Sequence, residues 1–255
     1  MKTIAFFNLK GGVAKTTSVI NTAAILARDY GKNILVVDAD SQCNTTEFFG
    51  GKPEGIASLS SMLRKIAGPE SDCFEDSNFP GVSLLPAEDS LMDLDLSKIE
   101  NGQLDMNCLR DLVTLLESVQ MFDYVLIDCP PAFNAATVAA LMASDSVVIP
   151  IKMDAFSIRG MANLMRQIDS MKKINRRLKV AGLLPTMYYK CKTLDETEAM
   201  LRTSGLTVFH HIRRSPAVDS MTYRQEPLII CSKTSGACKD YQAFADELIG
   251  GGKNV

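Results

Sequence analysis

One short segment, Asn8–Thr17, constrains the fold of this chain more than any other. It reads NLKGGVAKTT, follows an apolar run typical of a strand and opens a helical pattern. A helix start in that position offers unpaired backbone N–H groups and the positive end of a dipole to an anion. The glycines at 11 and 12 let the main chain approach phosphate oxygens where a Cβ would interfere. The segment therefore predicts a phosphate-binding turn between a strand and a helix.

The segment differs from the ordinary phosphate-loop pattern G-x-x-x-x-G-K-[ST] at two places. Leu9 and Ala14 occupy the two glycine positions of that pattern. In such a loop, Lys15 would reach the β- and γ-phosphates, and the hydroxyl of Thr16 would ligate Mg²⁺. With this pattern alone, a phosphate site and an ordinary strand-to-helix turn both stay open.

Strand and helix patterns alternate along the rest of the chain. Most predicted strands are continuous apolar runs rich in Val, Ile and Leu, as in strands buried on both faces of a parallel sheet. The predicted strands are Thr3–Asn8, Asn33–Asp38, Val82–Pro86, Asp123–Asp128, Ser146–Ile151, Val180–Met187 and Leu206–Ile212. The predicted helices are Thr16–Asp29, Ser58–Ile66, Met106–Val119, Ala135–Ala143, Ser157–Ile174, Asp195–Thr203 and Ala237–Ile249, with a glycine stop at 250–252. The alternation predicts an α/β fold with a doubly wound, mostly parallel sheet and helices on both faces, in one domain over residues 1–255.

The composition is that of an ordinary globular protein, with 46% apolar and 22% charged residues. The longest apolar runs have the length of strands, well short of the roughly 20 residues that span a bilayer. The seven cysteines are scattered without a Cys-x-x-Cys pair, which argues for a reducing compartment and against a zinc or iron–sulfur framework. Because Met1-Lys2-Thr3 leads directly into the first strand, we expect no signal peptide and a cytoplasmic protein.

The net charge of −3 conceals a strong asymmetry along the chain. Residues 70–123 contain 13 acidic and 2 basic residues, a net charge of −11. Residues 172–224 contain 11 basic and 4 acidic residues, a net charge of +7. An even mixture would indicate only a solvated surface, whereas this segregation favours a basic face that meets a polyanion.

The glycine-containing segment does fit a variant loop, K-G-G-x-x-K-[ST], in which Lys10 is an additional lysine. With this loop, the chain resembles the ParA/MinD family of deviant Walker-A P-loop ATPases, and most closely its Soj-like ParA branch. DADSQ at 38–42 is similar to the family's D-x-D-P-Q segment, with serine in place of proline. VLIDCPP at 125–131 is similar to its Walker-B segment, and 143–150 to the stretch that leads into the next strand. The likeness covers nearly the whole chain.

The resemblance implies a site for ATP and Mg²⁺. The loop residues that would contact the nucleotide are Lys10, Gly11, Gly12, Val13, Ala14, Lys15, Thr16 and Thr17. Thr16 would ligate the Mg²⁺ directly, Asp128 would hold metal-bound water, and Asp38 would support the same shell. Lys15 would be the phosphate lysine of the same chain, and Asp40 would orient the attacking water.

The resemblance further implies that Lys10 crosses to the nucleotide of a partner copy in a homodimer. A positioned cation there would stabilise charge that develops on the transferred group. Taken singly, these residues also have plainer readings: Asp38 and Asp128 as helix caps, Asp40 as a loop acid and Lys10 as a surface lysine. Their joint placement at adjacent strand ends favours catalysis. Without a strong base, hydrolysis should be slow until a partner stimulates it.

In the ParA branch, ATP-bound dimers bind DNA without sequence preference through basic residues in the C-terminal part. The matching residues here are Lys192, Arg213 and Arg214, and the tail of the preceding helix would widen the patch with Lys172, Lys173, Arg176, Arg177 and Lys179. Adenine contacts are expected in the loops at 187–190 and 213–216. The resemblance thus implies a plasmid- or chromosome-partition ATPase that associates with the nucleoid when ATP-bound. A ParB-like centromere-binding protein would stimulate its hydrolysis, with no role for a membrane.

Three alternatives stay open. A MinD-like membrane ATPase for division-site placement has a similar phosphate site, but the last helix here lacks the lysine-rich face that membrane binding requires. An electron-transfer ATPase of the nitrogenase-iron-protein type is suggested by Cys129, yet no second cysteine has the context of a cluster ligand. A nucleotide-dependent switch that hardly turns over differs only in its rate. His210 and His211 lack metal-ligand spacing and are interpreted as structural or DNA-proximal.

Overall fold

The computed structural model describes residues 1–52, 56–94 and 96–250 of the chain. Its strands are β1 Lys2–Phe6, β2 Ile34–Asp38, β3 Glu75–Asp76, β4 Val82–Leu85, β5 Tyr124–Asp128, β6 Ser146–Lys152 and β7 Lys179–Thr186. Its helices are α1 Lys15–Tyr30, α2 Asn44–Phe48, α3 Leu59–Leu63, α4 Leu96–Glu100, α5 Cys108–Ser118, α6 Ala135–Ala143, α7 Ala155–Ile174, α8 Lys192–Arg202, α9 Pro216–Arg224, α10 Leu228–Cys231 and α11 Gly236–Ile249. A 3₁₀ turn covers Asp89–Asp93.

The strands form one seven-stranded sheet in the order β3-β4-β2-β5-β1-β6-β7. Every pairing is parallel except that of the two-residue strand β3 with β4. Strands β2 and β4 lie on one side of β5 and β1, and the chain then crosses to place β6 and β7 on the other side. The sheet confirms the prediction of a doubly wound, mostly parallel α/β fold, in which ligands bind beyond the carboxyl ends of the strands.

The sheet is buried on both faces because alternate residues of each strand belong to two different cores. On one face, Val37 and Ile127 pack with α5, α6 and α7. On the other face, Val36, Leu126 and Phe6 pack with α1 and α11, where the ring of Phe6 meets Phe244 edge to face. Burial of both strand faces explains why the strands read as continuous apolar runs rather than as alternating patterns.

The prediction of a strand over Leu206–Ile212 is wrong, although this segment does run beside β7. Two isolated parallel bridges join the two segments, Leu183 with Val208 and Tyr188 with Arg213. Between them lies Pro185, which accepts a hydrogen bond from the backbone N–H of Ile212 but has no N–H to donate in return. The ladder is therefore interrupted, and the segment forms an extended edge instead of a regular strand.

Other differences concern short elements and helix ends. The helix predicted over Ser58–Ile66 is only five residues long, and the short helices α2, α4, α9 and α10 were not predicted. The predicted glycine stop at 250–252 falls mostly on residues outside the described part of the chain. Within that described part, no helix is long and apolar enough to cross a membrane.

Candidate nucleotide-binding site

A cavity of about 1030 Å³ opens at the carboxyl ends of the parallel strands. One end, here called the phosphate end, is lined by the predicted loop with Gly11, Gly12, Ala14, Lys15, Thr16 and Thr17 and by Asp40. The other, here called the base end, is lined by Met187 and Tyr189 after β7 and by residues 212–216, Val218 and Asp219. The cavity thus brings the loop together with both segments in which adenine contacts are predicted.

The loop reaches the cavity through two residues in the left-handed region. Gly12 has φ +68°, and Ala14, which precedes the first residue of α1, has φ +63° and ψ +35°. Ala14 occupies a glycine position of the ordinary pattern, and a Cβ in this conformation costs about 1 kcal/mol. The strain is present, and buried Val13 between the two anchors the turn by accepting a 3.1 Å hydrogen bond from Thr186 Oγ1. A Cβ added to Gly11 would meet no protein atom within 4 Å, so the space before the loop is open.

Lys15, the first residue of α1, is buried beside this loop. Its Nζ donates a hydrogen bond of 3.3 Å to the carbonyl oxygen of Lys10. Burial lowers the pKa of Lys15, and the nearby carboxylate of Asp128 opposes that shift. A buried cation at the start of a helix is suited to hold a multiply charged phosphate.

Asp128 ends β5 with one carboxylate oxygen satisfied and the other not. Its Oδ2 accepts hydrogen bonds from Thr16 Oγ1 at 2.6 Å and Thr45 Oγ1 at 2.7 Å. Its Oδ1 is buried and has no hydrogen-bond partner among residues 1–52, 56–94 and 96–250. Burial raises the pKa of Asp128 to about 6, against the effect of the two hydroxyl donors.

Asp38 ends β2 directly opposite Asp128 in the sheet register. Its Oδ2 accepts from the backbone N–H and the hydroxyl of Thr46, both at 2.8 Å, and its Oδ1 accepts from the backbone N–H of Asp40 at 3.1 Å. Burial, together with the charge of Asp128, raises the pKa of Asp38 to about 7. The two neighbouring strand ends thus hold a pair of buried carboxylates.

This arrangement fits Mg²⁺. The unpartnered Oδ1 belongs to the same carboxylate whose Oδ2 accepts from the hydroxyl of Thr16, so both groups supply oxygen atoms that suit a hard cation. No group of three or more His, Cys, Asp or Glu side chains that could hold a metal occurs in the described part of the chain. Mg²⁺ is usually bound by one or two carboxylates plus substrate phosphates, so this sparse set is the expected one.

Sequence reasoning missed Thr45 and Thr46, the residues that tie α2 to the two carboxylates. Thr45 donates to Asp128 and Thr46 to Asp38, so the helix after the Asp40 loop is fixed to both strand ends. Asp40 itself lines the cavity, and its Oδ1 accepts from the backbone N–H of Gln42 at 3.1 Å. The two threonines follow the DADSQ segment by only a few residues. This closeness to the end of β2 was the one sequence signal that could have indicated them.

Lys10 has a partner that the sequence did not indicate. Its ammonium contacts both carboxylate oxygens of Asp154 at 2.8 Å and the hydroxyl of Ser157 at 3.0 Å. Asp154 also caps α7, where it accepts from the backbone N–H of Ser157. Hydrogen bonds from Lys10 and Ser157 outweigh the effect of burial and lower the pKa of Asp154 to about 2. Lys10 is not among the residues that line the cavity of its own chain.

The predicted DNA-binding residues lie in different settings. Lys192 begins α8 with its side chain 89% exposed and only a distant contact, 3.8 Å, with Glu196. Arg213 and Arg214 instead line the base end of the cavity. The guanidinium of Arg213 forms an ion pair with Asp240 of α11 at 2.7 Å.

The basic tail of α7 does not extend the surface around Lys192. Lys172 and Lys173 occupy the last turn of α7, and Lys179 opens β7, so they lie at the amino ends of the strands. Lys192 follows β7 and therefore lies at the carboxyl ends of the strands. Arg177 of the tail is already paired with Asp145 at 2.7 Å. The basic residues that are contiguous in the sequence are therefore divided between the amino ends and the carboxyl ends of the strands.

Each of the two histidines contacts a carboxylate. Nε2 of His210 lies 3.3 Å from Oδ1 of Asp240, and Nδ1 of His211 lies 2.8 Å from Oε2 of Glu198. The His211 ring stacks on Tyr188, with centroids 3.8 Å apart. Cys129 is buried, and burial raises its thiol pKa, as for a structural cysteine.

A family model described as an AAA domain matches residues 1–180. The chromosome partitioning protein ParA of Caulobacter vibrioides is 36% identical over 203 residues, which cover 78% of this chain and 74% of that protein. The sporulation initiation inhibitor protein Soj of Bacillus subtilis is 28% identical over 258 residues, 98% of this chain and 99% of that protein. Among solved structures, cobyrinic acid a,c-diamide synthase from Mycobacterium smegmatis with a bound ATP analogue and magnesium has a TM-score of 0.81 at 26% identity, covering 98% of this chain and 94% of that one.

Proposed function

Because this chain belongs to the ParA family of P-loop ATPases, we propose that it is a partitioning ATPase whose dimerisation and DNA binding are gated by ATP. Binding of Mg·ATP closes two copies around two nucleotides, and the closed dimer binds DNA without sequence preference. Hydrolysis is slow alone and is stimulated by a ParB-like centromere-binding partner, which returns the dimer to monomers. The cargo is a plasmid or chromosome segment.

The observation that carries this proposal is the unpartnered, buried Oδ1 of Asp128 beside the hydroxyl of Thr16. A buried carboxylate oxygen without a partner is costly, and a bound cation removes the cost. Mg²⁺ held there would supply positive charge that stabilises the phosphoryl group being transferred. Thr16 and Asp128 would hold the ion, and Asp38 would support the same site by accepting a hydrogen bond from the backbone N–H of Asp40.

The remaining groups of the phosphate end bind and orient the substrate. Lys15 and the backbone N–H groups of the loop hold the phosphates, and the open space at Gly11 and Gly12 admits them. Asp40 lines the cavity and orients the attacking water. No strong general base is needed, since phosphoryl transfer depends mainly on positioning and charge stabilisation.

Lys10 supplies a cation to the partner's nucleotide. Two features support this role: Lys10 does not line its own cavity, and its ammonium is held at the surface by Asp154 with the pair only partly buried. An ion pair of this exposure contributes at most about 1 kcal/mol, so dimer closure can exchange it for a contact with the γ-phosphate. Transfer of this lysine couples hydrolysis to dimerisation.

DNA binding through Lys192 is tested by fluorescence anisotropy on duplexes of unrelated sequence. The Asp40→Ala variant should stay in the ATP-bound state. It should bind DNA with Mg·ATP and not with Mg·ADP. Its affinity should fall steeply as the salt concentration rises, because contacts to DNA phosphates release counterions. Lys192→Ala should reduce the affinity for every duplex equally, whereas Lys233→Ala, at another exposed lysine, should leave it unchanged. Equal binding with both nucleotides, or an affinity indifferent to salt, would contradict the proposal.

A further inference from the structure

A second cavity, here called the amino-end cavity, lies at the end of the sheet opposite to the nucleotide site. It has a volume of about 890 Å³ and is bounded by the starts of β1, β6 and β7, the turn before β7, the extended segment beside β7 and the end of α11. The three strands are neighbours, with Ile4 opposite Ser146 and Ser146 opposite Lys179. Its volume is that of an ordinary small-molecule site, which occupies roughly 300–1,000 Å³. No residue lines both cavities.

The floor of the amino-end cavity is apolar and fixed by packing. Ile4 and Phe209 are buried, and Leu248 packs against the same core. The ring of Phe209 meets that of Phe244 edge to face, with centroids 5.0 Å apart. The extended segment can lie this close to β7 because Gly182 has no Cβ, which would fall 2.7 Å from the Phe209 ring. An apolar group of a ligand would therefore find a preformed surface here.

Two acidic residues hold the walls of the cavity in place. Oδ2 of Asp145 accepts from the backbone N–H of Thr3 at 2.9 Å, and Oδ1 pairs with Arg177 at 2.7 Å. Glu247 of α11 accepts from the backbone N–H of His210 at 2.8 Å. These contacts tie β1 to the turn before β7, and α11 to the extended segment. Walls that are fixed in advance reduce the entropy lost when a ligand binds.

Three cations of the cavity are left without an acidic partner. Lys2, Arg176 and Lys179 line the cavity and are exposed. None of the three forms an ion pair or a side-chain hydrogen bond within the parts of the chain that the structure describes. With Arg177, four cationic and two acidic residues surround this concave surface, and the excess of positive charge attracts anions. A phosphate group, with about two negative charges and three acceptor oxygens, suits several cations at once.

We propose that the amino-end cavity binds a small phosphorylated molecule that also carries an apolar group. The phosphate contacts Lys2, Arg176 and Lys179, and the apolar group lies on the floor formed by Ile4 and Phe209. This site goes beyond the proposed function. Because the proposed dimer brings the carboxyl ends of the strands together, the amino ends stay open to solvent, and binding here does not require ATP.

The two acids of the cavity favour a small ligand over the backbone of DNA. A DNA backbone presents a continuous row of phosphates, some of which would lie near Asp145 and Glu247 and be repelled by them. A small molecule places a single phosphate at the cations. Its apolar group gains from the buried floor, which a DNA backbone cannot use.

The test is an NMR titration of the ¹⁵N-labelled Lys15→Met variant without Mg²⁺, since this substitution weakens phosphate binding at the nucleotide site. The two probes are phenyl phosphate and inorganic phosphate. Both should shift the amide signals of residues 2–4, 146 and 179–181. Phenyl phosphate should bind at least about tenfold more tightly, because its ring is removed from water on the apolar floor.

Substitutions of the cations test which residues hold the phosphate. Arg176→Ala and Lys179→Ala should each weaken phenyl phosphate binding by about fivefold to tenfold, because a charge-assisted contact is lost. The matched control is Lys173→Ala, which removes an exposed cation of the same basic stretch that does not line the cavity. It should leave the affinity unchanged. All three variants should keep the melting temperature, since the substituted side chains are exposed.

Four results would overturn the proposal. Signals that shift only at residues 11–17, or not at all, would show that the cavity takes no phosphate. Equal affinities for the two probes would reduce the effect to attraction by charge. An equal loss in Lys173→Ala and Arg176→Ala would do the same. Displacement of phenyl phosphate by a DNA duplex of unrelated sequence would assign the surface to nucleic acid. The first three results leave the proposed function intact, because it depends on the other end of the sheet.

Discussion

Buried aspartates lie at both ends of the nucleotide cavity, and their pKa values are shifted in opposite directions. At the phosphate end, Asp128 and Asp38 lie opposite each other at neighbouring strand ends, and burial raises the pKa of both. At the base end, Asp240 is equally buried but is paired with Arg213, and its pKa is lowered. The two aspartates of the phosphate end can take a cation that arrives with the ligand, whereas Asp240 of the base end already has its cation in Arg213.

The largest effect should come from the phosphate end. Lys15→Met removes the buried cation without removing volume, and Mg·ATP affinity should fall by about a hundredfold or more, because several charge-assisted contacts to phosphate are lost. The loss should extend to Mg·tripolyphosphate, a ligand that has the phosphates but no nucleoside and therefore reports the phosphate end alone. Calorimetric titration measures both. Retention of tripolyphosphate affinity in Lys15→Met would show that the two ends have been assigned wrongly.

The next effect is on stability and its pH dependence in the absence of metal and nucleotide. The raised pKa values of about 6 for Asp128 and about 7 for Asp38 mean that the native state binds more protons than the unfolded state above about pH 4. The stability that these groups contribute is therefore present at low pH and lost as the pH rises through 6 to 7. Asp128→Asn should raise the free energy of unfolding at pH 8 by about 2 kcal/mol and flatten this dependence, while abolishing hydrolysis.

Asp240→Asn is the matched base-end substitution and should have the opposite sign. Because the pKa of Asp240 is lowered, its contribution is present above the unfolded-state pKa and lost as the pH falls through the native one. The variant should lose about 1 kcal/mol at pH 8, an amount limited by the half-exposed guanidinium. Chemical denaturation at several pH values measures both variants. Destabilisation by both substitutions at pH 8 would remove the contrast between the two ends.

A smaller effect concerns the contact that holds Lys10. Asp154→Asn keeps a capping side chain for α7 but removes the charge that binds the ammonium. Release of Lys10 should lower the protein concentration at which Mg·ATP produces dimers by about threefold to fivefold, because an ion pair of this exposure contributes up to about 1 kcal/mol. Sedimentation velocity over a concentration series measures the shift. A higher concentration requirement would mean that Asp154 assists closure instead of opposing it.

The smallest effect is relief of strain in the loop. Ala14→Gly should stabilise the chain by about 0.5 kcal/mol, because glycine adopts φ +63° without the Cβ penalty but loses more entropy on folding. The control, Ala27→Gly within α1, should destabilise by up to about 1 kcal/mol. Thermal melts compare the two. A destabilising Ala14→Gly would mean that the left-handed conformation carries no strain.

The contrast between the two ends also marks what could be predicted from the sequence. The phosphate end was predictable because its backbone loop is contiguous and its aspartates end adjacent apolar strands, which fixes their location before side chains are considered. The base end was not, since Arg213 and Asp240 are 27 residues apart and meet only through the docking of α11. Lys10 and Asp154 are 144 residues apart, and no local pattern connects them.

The same limit explains the errors in the fold. Continuous apolar runs identified the six principal strands, but the segment beside β7 has the composition of a strand and fails as one because its neighbour contributes Pro185. The basic stretch 172–224 is contiguous in sequence, yet β7 runs between Lys179 and Lys192. Lys179 therefore lies at the amino ends of the strands and Lys192 at their carboxyl ends. Composition therefore predicted the charge but not the surface on which it lies.

The central claim is that two copies of this chain share a pair of triphosphates, and sedimentation velocity of the Asp40→Ala variant tests it most directly. With saturating Mg·ATP the variant should sediment as a dimer, with Mg·ADP as a monomer, and the double variant with Lys15→Met should stay monomeric with both. A monomer for Asp40→Ala at saturating Mg·ATP, at every protein concentration, would contradict the account.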